Sequence, residues 1–101
     1  MTMTPDPTKV DARHYQVEFE NDRIRVLRVK YGPGEKSSMH AHPDSVHVYL
    51  TDVKGRFTYP NGKTEEVTAK AGHTMYRGAF EHSPQNLSDK AIELIQIELK
   101  H

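Results

Sequence analysis

The sequence predicts an all-β fold, a small antiparallel β-barrel or sandwich. Three observations carry that reading. The chain holds about eight to ten short segments with strand signals, turn residues separate them at short intervals, and no segment shows convincing helical periodicity. At 101 residues with 35% hydrophobic content, it is long enough for one domain with a thin core, which oligomerisation or a bound ion would help.

Residues 1–13 carry Pro5 and Pro7 and little hydrophobicity, and read as a flexible N-terminal arm, leaving residues 14–101 as the single domain. "HYQVEFE" then alternates Tyr15, Val17 and Phe19 against polar neighbours, the period-2 pattern of a half-buried strand. Asn21-Asp22 makes a turn into "RIRVLRVKY", whose apolar positions shift phase between Val26 and Leu27, as at a bulge or in a strand buried on both faces. "YGPGEK" is a loop, and "SSMHAH" and "VHVYLTD" are strands parted by Pro43-Asp44. "RFTYPNGKTEEV" is a hairpin, with Asn61-Gly62 as its two-residue turn. "AGHTMYRG" and "EHSPQN" are further short extended pieces. "AIELIQIELK" closes the chain as a strand in preference to a helix, because it is rich in isoleucine and follows a turn.

Composition removes several functional classes. Lys+Arg and Asp+Glu both number 14, without a basic block, so a nucleic-acid partner is not expected. No apolar run approaches membrane-spanning length, and no membrane partner is expected. The N-terminal residues lack the basic-then-apolar order of a signal peptide, and the expected location is cytoplasmic. There is no cysteine, hence no disulfide framework and no thiol nucleophile.

The chemistry lies in the seven histidines. On a strand, His40 and His42 point to the same face and can converge on one ion. His82, late in the chain before the last strand, is placed to join them in a compact antiparallel barrel. Imidazoles bind borderline divalent metals such as Zn, Fe(II), Ni and Cu. His47 is the alternative fourth ligand. The alternation of Val46, Val48 and Leu50 argues that these face the core and that His47, Tyr49 and Thr51 face away, unless a bulge at Pro43-Asp44 re-aims the strand. His14, His73 and His101 look incidental. Tyr49, Tyr76 and Arg77 are candidate substrate contacts, Arg77 because a guanidinium can clamp a carboxylate in bidentate fashion. Glu81 reads as a surface charge.

These residues and their spacing resemble the cupin family of antiparallel barrels (jelly rolls) over residues 24–99. In "GEKSSMHAH", Gly34, His40 and His42 fit the family's first motif, and in "GHTMYRGAFEHSPQN", Gly72, His82 and Asn86 fit the second. The departures are specific. The family's Glu ligand is absent, its place falling on Val46 or His47 according to the spacing chosen. Gly55 is slightly late for the first motif's final glycine, and Arg77 and Ala79 replace the Pro and Gly of the second.

The resemblance implies a divalent metal on His40, His42 and His82, with Fe(II) favoured and Zn, Ni, Mn or Cu as alternatives. A three-histidine set resembles that of thiol and β-diketone dioxygenases. The expected function is therefore a non-haem Fe(II)-type dioxygenase acting on a small anionic or chelating molecule. The alternatives are a Zn-dependent hydrolase, lyase or isomerase, and a non-enzymatic barrel that binds a small ligand. A homodimer is expected, as cupin-like barrels often pair.

Overall fold

The computed structural model describes residues 5–101. Among them nine strands follow a single helical turn, α1 (Pro7–Val10): β1 (Tyr15–Glu20), β2 (Ile24–Tyr31), β3 (His40–His42), β4 (Ser45–Tyr49), β5 (Val53–Thr58), β6 (Thr64–Ala69), β7 (Thr74–Arg77), β8 (Phe80–Asn86) and β9 (Ile92–Leu99). They form a five-stranded sheet in the order β1-β2-β9-β4-β7 and a four-stranded sheet in the order β3-β8-β5-β6, with antiparallel pairing throughout. This is the all-β antiparallel barrel that the sequence predicts. No helix among the described residues is long and apolar enough to cross a membrane.

The core sits between the sheets and is built from alternate residues of β2 and β9, Leu27, Val29, Tyr31, Ile92 and Leu94, with Tyr15 and Tyr49. The phase shift read in β2 has a simple basis. Its register with β9 is continuous, Leu27 and Val29 face in, and Val26 lies half-buried on the outer face. The bulge is in β1 instead, between Val17 and Phe19. Because β1 is the edge strand of its sheet, Val17 and Phe19 remain exposed, at 45% and 53%, against the half-buried role their alternation predicts.

The N-terminal segment also departs from expectation. Residues 1–4 lie outside the described residues, but residues 5–13 are folded onto the barrel instead of forming a free arm. Asp6 caps α1 by accepting from the Thr8 N–H at 2.9 Å, Pro7 is buried, and the Ala41 N–H donates to the Pro5 carbonyl at 2.9 Å. The β5–β6 hairpin is longer than a two-residue turn. Pro60 starts it, the Gly62 N–H donates to the Tyr59 carbonyl, and Gly62 alone adopts positive φ, at 86°. That is a type I turn followed by a left-handed glycine, the geometry a proline at the first central position favours.

Candidate metal centre

β3 is only three residues long, and its pairing with β8 decides what the histidines can do. The register sets His40 opposite His82 and His42 opposite Phe80. Alternation turns His40 and His42 to the interior and Ala41 away, while His82 faces in from β8. The three ring centroids stand 4.8–5.2 Å apart, and one nitrogen from each ring lies within 4.8 Å of the others.

Hydrogen bonds fix which nitrogen is free. His40 Nδ1 is 2.9 Å from the Ser38 carbonyl oxygen, which only accepts, so Nδ1 carries the proton and Nε2 keeps its lone pair. His42 Nδ1 is 2.7 Å from Glu98 Oε2. Arg25 donates to the other oxygen of Glu98, and facing that carboxylate, which only accepts, His42 too donates from Nδ1. The Nε2 atoms of His40 and His42 and both nitrogens of His82 are buried without a hydrogen-bond partner among the described residues.

Burial favours the neutral form of His40 and His82. It lowers His40 to about 4, helped by neighbouring His42, and it drives His82 lower still, with His42, His40, His47 and Arg77 adding to the effect. Orphaned buried nitrogens each cost about 1–3 kcal/mol, and buried polar groups in folded proteins are nearly always satisfied. Unpaired imidazole nitrogens converging on one point therefore fit a borderline divalent cation, which would take up one nitrogen from each ring.

No family model matches the chain, and no curated protein matches it. Solved structures do. A cupin domain from Bordetella pertussis Tohama I is 27% identical, superposes with a TM-score of 0.79, and the match covers 86% of this chain and 92% of that one. The chain has the cupin fold. A cupin superfamily protein from Desulfitobacterium hafniense DCB-2 agrees in fold at 16% identity and TM-score 0.64, over 96% of this chain and 89% of that one. Oxalate decarboxylase from Bacillus subtilis, an enzyme with Mn(II) centres, is 23% identical with a TM-score of 0.60, over 78% of this chain but 22% of that one.

In this barrel His47 faces the interior, which corrects the expectation drawn from periodicity. Ser45, His47 and Tyr49 point in and are buried, while Val46 and Val48 lie half-buried outside and Leu50 is exposed. His47 still stands apart from the three-nitrogen group. Its Nε2 is 3.1 Å from Ser45 Oγ, to which the Gln96 amide also donates at 3.1 Å. Burial lowers His47 to about 4, with His42 and Arg77 contributing, so it is a neutral, hydrogen-bonded ring beside the site.

The three candidate substrate contacts separate. Tyr49 is buried and lines the interior cavity. Tyr76 does not reach it: alternation along β7 puts Tyr76 on the outer face, 60% exposed, and turns Met75 and Arg77 the other way. Arg77 is half-buried above the rings of Phe57 and Phe80, at 5.1 and 5.5 Å, and both rings pack edge-on against His82. Among the described residues its guanidinium makes two long hydrogen bonds, 3.3 Å to the Tyr59 hydroxyl and 3.4 Å to Glu65. Glu81 is exposed, as expected.

The cavity offers ≈ 50 Å³ of water-accessible space and runs from His82 and His47 toward Tyr49, Val67 and Leu94. Glu98, Gln96 and Ser45 are the site residues that the sequence reading missed. The available signal was in "IELIQIEL", where Gln96 and Glu98 continue the inward phase of Ile92 and Leu94. His14 is not incidental either. It is buried, stacked on Tyr31 at 4.2 Å, and held between Asp11 and Glu35. Asn86 has a structural task, since its amide donates to the carbonyls of Gly32 and Lys90 and ties down the turn before β9.

Proposed function

We propose that this cupin is a metal-dependent enzyme of the cytoplasm, a non-haem Fe(II)-type dioxygenase acting on a small anionic or chelating molecule. The observation that carries the reading is the set of three buried imidazoles with free nitrogens and no carboxylate among them, of which His82 lines an internal cavity. His40, His42 and His82 would hold the ion. Fe(II) would supply activation of O₂ and a 2+ charge that no protein ligand neutralises, which favours an enolate, thiolate or carboxylate substrate.

The chain's own residues prepare the rest. Tyr49 and the apolar wall enclose a substrate of a few heavy atoms and exclude bulk water. Arg77, with weak hydrogen bonds and spare donors, orients an anionic group at the Phe57–Phe80 side of the site. His47 presents a neutral ring beside the substrate's position.

The test is to reconstitute the protein with Fe(II) and follow O₂ uptake across a panel of small β-diketones, thiols and 2-oxo acids. Uptake that depends on His82 is the expected result. A second reading, a Zn-dependent hydrolase, lyase or isomerase, rests on the same donors, since three histidines with an open position also suit zinc. Turnover without O₂ consumption in the Zn(II)-loaded protein would select it.

A further inference from the structure

The three-histidine reading leaves one buried charge network unused, and that network runs from His42 out to the N-terminal segment. Glu98, 2% exposed, accepts from His42 Nδ1 through Oε2 at 2.7 Å. Its Oε1 accepts from Arg25 Nε at 2.8 Å and pairs with Arg25 Nη2 at 2.7 Å. Arg25 then donates from Nη1 and Nη2 to the two oxygens of Asp6, at 2.9 and 3.1 Å. Asp6 in turn caps α1.

A second contact reaches the same strand independently. β3 is the edge of its sheet, so the Ala41 N–H, between the two histidines, has no neighbouring strand to meet, and the Pro5 carbonyl accepts it at 2.9 Å. The segment therefore holds "HAH" both by backbone and, through Asp6, Arg25 and Glu98, by side chain.

We propose that residues 5–10 are a working part of the metal centre, a clasp that positions His42 and sets metal affinity through Asp6, Arg25 and Glu98. The proposal rests on His40, His42 and His82 holding the metal. Asp6, Arg25 and Glu98 carry a summed charge of about −1 when ionised, so the network supplies, behind the imidazole, the negative charge that the ligand set lacks. Its geometry also dictates the tautomer. A carboxylate at Glu98 can only accept, which keeps the proton on Nδ1 and the Nε2 lone pair toward His40 and His82. With an amide in its place, Arg25 takes the oxygen and the NH₂ group is left facing His42. The proton then moves to Nε2, the atom that must bind metal.

The experiment uses the full chain as wild type, Glu98→Gln, Asp6→Asn and, as a remote control, Arg28→Gln, which loses pairs with Glu18 and Glu93 on the outer face. Co(II) and Zn(II) titrations give affinity, and histidine ¹⁵N spectra of the metal-free proteins give the His42 tautomer. The expected result is a weakening of about 10–100-fold for Glu98→Gln and about 3–10-fold for Asp6→Asn, with Arg28→Gln unchanged. His42 should be protonated on Nδ1 in the wild type and on Nε2 in Glu98→Gln, a change that loss of stability alone does not produce. Wild-type affinity in both Glu98→Gln and Asp6→Asn overturns the clasp while leaving the metal site standing. A wild type that binds neither ion overturns the metal reading and the clasp with it. If Glu98→Gln does not fold, Asp6→Asn against Arg28→Gln decides the matter.

Discussion

His40 on β3 and His82 on β8 are direct cross-strand partners, with ring centroids 4.8 Å apart, although each belongs to a different half of the sequence. That pairing creates the site, because it closes the pair on β3 into a three-nitrogen group.

Metal content should follow that group residue by residue. We expect about one divalent ion per chain after reconstitution. His40→Ala, His42→Ala and His82→Ala should each lose it, and His47→Ala should keep it. Elemental analysis on identically purified proteins is the check. Loss of metal in His47→Ala would mean that the ring leaves Ser45 and joins the ion as a fourth ligand.

Ser45 supports His47 and Gln96 at once, through two 3.1 Å contacts in a buried setting. Ser45→Ala strands both partners and should destabilise the protein by about 1–3 kcal/mol. Urea unfolding measures this. An unchanged midpoint would show that the two side chains find each other without the hydroxyl.

Acid should weaken the metal-free protein. Burial holds His40 and His47 near pKa about 4, and His82 lower, whereas in the unfolded chain they protonate near 6.5. The unfolded state therefore binds more protons between these values, and stability falls as pH falls through that window. The loss should be about 1 kcal/mol per histidine for each pH unit below 6.5. Urea midpoints at pH 7.5, 5.5 and 4.5 test the slope, and equal midpoints would contradict it.

The outer face of the five-stranded sheet carries an aligned apolar row, Phe19, Val26, Ile97, Val46 and Tyr76, one residue from each strand in continuous register. Phe19 and Tyr76, at its two ends, are largely exposed. We propose this face as the surface through which two copies pair. Sedimentation should give a dimer for the wild type and a monomer for Ile97→Glu with unchanged circular dichroism. A monomeric wild type at micromolar concentration would rule the pairing out.

The sequence by itself determined the all-β class, most of the strands and the two motif histidine groups, because period-2 alternation and turn residues act locally. His40 and His42 were legible as a pair since two positions on one strand share a face whatever the fold. The facing of β4 was not legible. Val46 and Val48 make the better local core, yet Ser45, His47 and Tyr49 are the ones turned inward. The reason is that the interior is polar at the histidine end, where Gln96, Glu98 and Ser45 replace the aliphatic residues of the other end. Hydrophobic periodicity identifies the buried face only where burial means an apolar neighbour. Glu98 behind His42 and Pro5 beside Ala41 were likewise beyond local reading, for both are contacts between chain ends and the middle. Only the tertiary structure brings those partners together, and it does so because strand β9 and the N-terminal segment pack against the strands that hold the histidines.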